Sequence, residues 1–277
     1  MGSDVGLLRP VVAVLAAALC AAAGSAAPAL AVYPSSMAAT GDSITKAFNT
    51  CATAFVDCPA NSWATGTNAT VNSHYLRIRA ANPAITGNAF NDARSGSEMD
   101  ALPEQVTRAV GQGVEYVTVA MGANDACGVD EAAMTPVADF QSQFQSAIDL
   151  LRARLPGARV AVHSIPNVHY LWRILHTDPS AVATWNSLDV CQSMLVNPTS
   201  TASADAARRN RVLRRIVEYN TVLSNVCGAY AQCRYDRGTG FNYRFPASEV
   251  STRDYFHPNV AGQAAIARIE WGATWVF

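Results

Sequence analysis

Residues 115–121 (Glu-Tyr-Val-Thr-Val-Ala-Met) run straight into Gly122-Ala123-Asn124-Asp125, and a long helical pattern follows. The run is too short for a core helix and is rich in β-branched residues, so it reads as a strand. From Pro136 to Leu155 the spacing changes. Phe140, Phe144, Ile148 and Leu151 recur every three or four residues, and Pro156-Gly157 stops the pattern. Residues 159–165 (Arg-Val-Ala-Val-His-Ser-Ile) then return to a strand. The same alternation extends outward in both directions. Strands are predicted at 36–40, 84–91 and 232–236, and helices at 71–81, 99–110, 204–231 and 259–271. Alternating strands and helices predict a mainly parallel, five-stranded sheet covered on both faces. In such sheets, sites form beyond the carboxyl ends of the strands.

Residues 166–203 break the alternation. They hold His169 to Leu175 and a stretch rich in Pro, Ser and Thr. Two readings stay open: an insertion that walls or lids a substrate cleft, or a surface excursion pinned by Cys191. The apolar run around Tyr170, Leu171 and Trp172 makes these three the candidate substrate contacts.

A chain of 277 residues with 50% hydrophobic content can bury one large α/β core. Its net charge of −1 supplies no field for nucleic acid or an anionic membrane. The arginines at 208, 209, 211, 214 and 215 are read as a solvated helix face. At the N-terminus, Arg9 precedes an apolar run from Val11 to Ala23, and Ala29-Leu30-Ala31 offers a small-x-small cleavage site. This is the layout of a secretory signal. It predicts a signal peptide over 1–31, a single mature domain over 32–277, an extracellular location, and no membrane insertion once the signal is cleaved. A membrane anchor needs about 20 apolar residues, and Gly24, Ser25 and Pro28 interrupt this run.

Removing Cys20 with the signal leaves six cysteines, an even number that fits an oxidising compartment. The short separations favour Cys51–Cys58 and Cys227–Cys233, which leaves Cys127–Cys191. There is no Cys-x-x-Cys, and no histidine at ligand spacing from these cysteines, so no metal is expected.

Three clusters sit where the predicted strands end. Ser43, in Gly41-Asp42-Ser43-Ile44-Thr45, is placed at a strand-to-helix turn. There a hydroxyl can project beside helix N-terminal amides. Gly96 follows the second strand and Asn124 the third. Near the C-terminus, Asp254-Tyr255-Phe256-His257-Pro258 spaces a carboxylate three residues before an imidazole. One turn would put both on the same side, with the carboxylate accepting from Nδ1 and Nε2 left as a base. Each cluster alone has a plainer reading: a turn, a helix cap or a turn glycine. Together they supply a nucleophile, a base, its orienting carboxylate and neutral donors for an oxyanion.

These blocks, in this order, resemble those of the SGNH hydrolases, also called GDSL esterases/lipases. Gly41-Asp42-Ser43 is similar to their first block, Gly96 to the second, Gly122-Ala123-Asn124-Asp125 to the third and Asp254-Tyr255-Phe256-His257 to the fifth. Asn61-Ser62-Trp63-Ala64-Thr65-Gly66 adds a faint likeness to the phospholipase B-type branch. The resemblance implies a three-layer, flavodoxin-like α/β/α fold. It implies catalytic Ser43, His257 and Asp254, and an oxyanion hole from Ser43, Gly96 and Asn124. It implies no cofactor or metal. The activity expected is hydrolysis of carboxylic esters, on a small-molecule or lipid ester, by a monomer. An acetyl-xylan type carbohydrate esterase is the alternative. A non-catalytic secreted binding protein on the same fold is the reading from another class.

Overall fold

A computed structural model describes residues 1–4, 6, 33–275 and 277, so the expected signal segment lies almost wholly outside the described residues. The chain divides into two compact units, Met1–Ala31 and Val32–Phe277, and every element below belongs to the second. Five strands build one sheet: β1 (Met37–Gly41), β2 (Ala89–Asn91), β3 (Tyr116–Ala120), β4 (Arg159–Val162) and β5 (Cys233–Tyr235). Their order is β2-β1-β3-β4-β5, and every pairing is parallel. The helices are α1 (His74–Ala81), α2 (Leu102–Gln112), α3 (Ala123–Ala126), α4 (Val137–Arg154), α5 (Val168–Leu175), α6 (Pro179–Ser187), α7 (Gln192–Leu195), α8 (Ser203–Gly228), α9 (Thr239–Asn242) and α10 (Val260–Glu270).

Parallel strands need a crossover, and the helices that supply it cover both faces. Successive side chains of a strand point to opposite faces, and β3 shows the consequence. Val117 and Val119 pack with Leu102, Val106, Phe140, Phe144 and Ile216, from α2, α4 and α8. Tyr116 packs on the other face with Tyr75 and Ile78 of α1. On that second face Ala39 of β1 meets Trp63 and, from α10, Ile266 and Ala267. The result is the expected three-layer arrangement. From β1 the chain crosses to one side for β2 and to the other for β3. The carboxyl ends of β1 and β3 therefore form the switch point at which open α/β sheets build sites.

Local chemistry shifts some predicted boundaries. The second strand is predicted over 84–91 but begins only at Ala89. Pro83–Ile85 is instead a 3-10 turn, started by Pro83 and by Asn82, whose side chain accepts from the Ala84 amide. Likewise α1 starts at His74, three residues late, because the Ser73 side chain caps the Leu76 amide. Residues 166–203 fold into α5, α6 and α7. They bury Trp185, Met194 and Leu195 completely, so the segment is part of the core and not a loose excursion.

The arginines of α8 depart from expectation in part. Arg209 is buried, Arg208 binds the carbonyls of Ser193 and Val196, and Arg211 forms a two-point ion pair with Glu131. Arg208 and Arg209 thus tie α8 to neighbouring segments, while Arg211 and Arg214 are exposed, as a solvated face requires.

Three disulfides close the unit: Cys51–Cys58, Cys127–Cys191 and Cys227–Cys233, with sequence separations of 7, 64 and 6. A cross-link restricts the unfolded chain more when it closes a longer loop. Replacing Cys127 and Cys191 by Ala should therefore cost about 4 kcal/mol in urea unfolding, against about 2 kcal/mol for either short loop. Equal losses for all three pairs would contradict this ranking.

Candidate active site

The site is built at the end of β1. Gly41 has φ +148°, and a Cβ there would lie 2.3 Å from the Ala120 carbonyl oxygen of β3. Only glycine lets the two strand ends approach this closely. The next residues, 42–49, form a succession of turns, closed by Lys46 N–H to Asp42 C=O and Phe48 N–H to Ser43 C=O. No regular helix follows β1, which corrects the strand-to-helix turn expected for Ser43. The short side chain of Asp42 accepts from the Ile44 amide at 2.9 Å and shapes a tight turn instead.

Two buried glutamines hold this turn from opposite faces of the sheet. Gln105 of α2 accepts from Gly41 N–H at 2.7 Å and donates to Gly41 C=O at 2.9 Å. Gln263 of α10 donates to Ile44 C=O at 2.8 Å and accepts from Trp63 N–H at 2.9 Å. Ser43 lies between the two clamped residues. Neither glutamine was identified from sequence, although each is a polar residue on an otherwise inward helix face. That cue was available.

The C-terminal cluster folds into one closed turn. Ser251 N–H donates to His257 C=O and Tyr255 N–H to Ser251 C=O, each at 2.8 Å. Within it, His257 Nδ1 lies 2.8 Å from Asp254 Oδ2 and Nε2 lies 2.8 Å from Ser43 Oγ. Residues separated by 214 positions thus meet in one hydrogen-bonded relay, from hydroxyl to imidazole to carboxylate. Asp254 Oδ1 also accepts from the amides of Phe256 at 2.9 Å and His257 at 3.0 Å. The Asn49 side-chain amide donates to Oδ2. Burial alone would raise the Asp254 carboxyl. The hydrogen bond and charge of His257, with the two amides, outweigh burial and hold it below the usual carboxylate value. Nothing in the sequence pointed to Asn49.

Asn124 is the second residue of α3, just beyond β3 and after Gly122, which has φ +121° and where a Cβ would strike the Ile165 side chain at 2.5 Å. Its amide donates to Ser97 C=O at 2.8 Å. Gly96 sits in the turn closed by Ser97 N–H to Arg94 C=O. Arg94 N–H in turn donates to Gly41 C=O, so this turn, Asn124 and the end of β1 are directly linked. Asp125 accepts the Met99 amide from inside the core, and burial raises it to about 7.

An apolar cleft, partly open to solvent, lies against this relay. Ile44, Ala123, Val168, Tyr170, Leu171 and Phe256 line it, and His257 stands at its edge. Residues 166–171 therefore wall the cleft. Trp172 does not line it. Its indole donates to Pro198 C=O at 2.7 Å, and the buried Arg209 guanidinium stacks 4.1 Å over its ring. Of the three candidate contacts, Tyr170 and Leu171 lie at the cleft and Trp172 packs toward α8. Helical geometry explains this, because adjacent positions on α5 cannot all face one way.

The chain belongs to the GDSL-like lipase/acylhydrolase family. That family's model matches residues 37–269, essentially the whole second unit. The protein is accordingly a carboxylic ester hydrolase on an SGNH-type fold. Among solved structures it is similar to phospholipase A1 from Streptomyces albidoflavus NA297, at 17% identity and a TM-score of 0.51, covering 86% of this chain and 99% of that one. The extracellular lipase from Streptomyces rimosus matches with 17% identity, the same coverages and a TM-score of 0.49. A carbohydrate esterase family 2 enzyme from Corynascus thermopiles (Myceliophthora fergusii) matches with 14% identity, 86% and 65% coverage and a TM-score of 0.47. No match was found among curated protein sequences.

One further group of ionisable residues lies beneath the site. His163, Asp236 and Glu270 are buried, with possible ligand atoms within 4.8 Å of one another. His163 Nδ1 is 2.6 Å from Glu270 Oε2. Asp236 accepts from the amides of Ser164, Gly238 and Gly240 and from the Ser164 hydroxyl. These bonds brace β4, β5 and α10 against one another.

Asp42 carries a stability consequence. Burial raises its carboxyl to about 6, against the Ile44 amide and the His257 charge. For an acid raised in the folded state, the associated stability is complete below the unfolded pKa of about 3.9 and is lost as pH rises through the folded value. Asp42→Asn keeps the acceptor for Ile44 and removes the titration. It should gain about 3 kcal/mol over the parent in urea unfolding at pH 7.5 and little at pH 4. Equal gains at both pH values would refute a titrating Asp42.

Proposed function

We propose that the protein is an exported serine esterase of lipase type, with Ser43 as nucleophile, His257 as general base and Asp254 as the residue that orients it. The supporting observation is the unbroken relay of two 2.8 Å contacts at the foot of an apolar cleft. His257 Nε2 takes the Ser43 proton as Oγ attacks the ester carbonyl, and Asp254 holds the proton on Nδ1. The oxyanion of the tetrahedral intermediate is bound by the amides of Ser43 and Gly96 and by the Asn124 side chain. The bond from Asn124 to Ser97 fixes its amide plane and leaves its second N–H for that role. One such donor is worth roughly 3 kcal/mol in the transition state. His257 then protonates the departing alcohol, and water, activated by the same imidazole, releases the acid from Ser43.

The apolar lining favours an acyl chain over a sugar. Each buried methylene contributes about 0.8 kcal/mol, so rates on p-nitrophenyl esters should rise beyond acetyl. Ser43→Ala, assayed beside the parent, should lose at least about a thousandfold on every ester. An optimum at acetyl would instead favour deacetylation of a polysaccharide. A fully active Ser43→Ala would remove the nucleophile assignment.

Export rests on the N-terminal layout and on the three disulfides, which persist in oxidising compartments. The exported chain should begin near Val32 by N-terminal sequencing. Recovery of the exported protein with Met1 intact would contradict cleavage.

A further inference from the structure

We propose that Asn49 is a positioning residue for the Ser43–His257–Asp254 relay, fixing the Asp254 carboxylate by its side-chain amide; this rests on the catalytic reading above. Asn49 is 3% exposed and lies 205 positions before Asp254, on a turn that belongs to the nucleophile's segment. Its Nδ2 donates to Asp254 Oδ2, the oxygen that also receives His257 Nδ1. With the amides of Phe256 and His257 on Oδ1, the carboxylate accepts four hydrogen bonds. A carboxylate so occupied stays ionised and cannot rotate away from the imidazole.

The orientation of the Asn49 amide is itself fixed. Its Oδ1 accepts the Phe55 N–H at 2.6 Å, so the NH2 group must face Asp254. The flipped amide would set oxygen against oxygen and leave the Phe55 N–H without this partner. Phe55 belongs to the loop closed by Cys51–Cys58. Val56 C=O accepts from Asn49 N–H at 3.0 Å. The guanidinium of Arg253, next to Asp254 in the chain, binds the carbonyls of Asn49, Ala52 and Thr53. The loop is thus docked on the segment that carries the carboxylate.

The residue type is narrowly constrained. Asn49 has φ +66°, a conformation that among non-glycine residues Asn and Asp adopt most readily. Glycine fits the backbone but has no donor. Ionised aspartate fits too but repels Asp254. Asparagine combines this backbone with one donor for Asp254 and one acceptor for Phe55.

The charge logic gives the test a specific signature. A donor on Oδ2 disperses the charge that stabilises the His257 imidazolium. Removing the donor, or adding a negative charge beside it, favours the imidazolium and moves the acid limb of kcat/KM upward in pH. Asn49→Ala and Asn49→Asp should each lower kcat by roughly 10–100-fold through lost alignment, with KM changed less than about twofold. The acid limb should rise by about half a pH unit or more, further for Asn49→Asp. Circular dichroism and urea unfolding confirm that the assayed fractions are folded.

Unchanged kcat in both folded variants, or a loss of kcat with the acid limb unmoved, overturns the proposal; the second result would mean that Asn49 only packs its loop. Ser43→Ala in the same assay separates the two ideas. An inactive Ser43→Ala with unaffected Asn49 variants removes only this inference, and an active Ser43→Ala removes the catalytic reading beneath it.

Discussion

The close approach of β1 and β3 at their carboxyl ends governs the geometry of the site. Gly41 sits in register with Ala120, and only the missing Cβ permits it. The chain turns sharply there and presents Ser43 at the crevice, while β3 delivers Asn124 to the same edge. A turn of this kind would be mobile if it hung from the strand alone. Gln105 and Gln263 prevent that, each using both ends of a buried amide on backbone groups. Buried backbone polar groups need partners, and here the partners come from α2 and α10 on opposite faces of the sheet. Core packing on both sides therefore sets the position of Ser43.

Buried carboxylates near the site behave differently because their donors differ. Asp42 and Asp125 are each raised by burial, to about 6 and about 7, with fewer compensating donors. Asp254 is also buried, yet it is held low by its hydrogen bonds and by the imidazole. Desolvation penalises all three, and only the site with enough donors overcomes it. Asp254, beside His257, is therefore held charged to lower pH than Asp42 or Asp125.

The segment 166–203 joins the cleft wall to the core. Its first turns wall the cleft, its later helices bury Trp185 and Leu195, and Cys191 fixes it to Cys127, just beyond Asn124. One side of the cleft is thereby covalently tied to the turn that carries Asn124. A cleft wall rooted in the core is largely preformed.

The sequence by itself determined the layering. The period change from 115–121 to 136–155 specifies strand then helix, and repeated five times it leaves little but a parallel sheet between helices. It also placed Ser43, Asn124 and Asp254-x-x-His257 at element ends, because glycines and short polar residues mark where a chain must turn. What it could not contain is any distance between segments. Only the tertiary structure brings His257 to Ser43 across 214 residues, turns Trp172 away from the cleft while keeping Leu171 in it, and sets Asn49 on Asp254. Periodicity is a local property fixed by φ and ψ. Which side chains share a hydrogen bond depends on how separate elements pack, and that depends on the whole core at once.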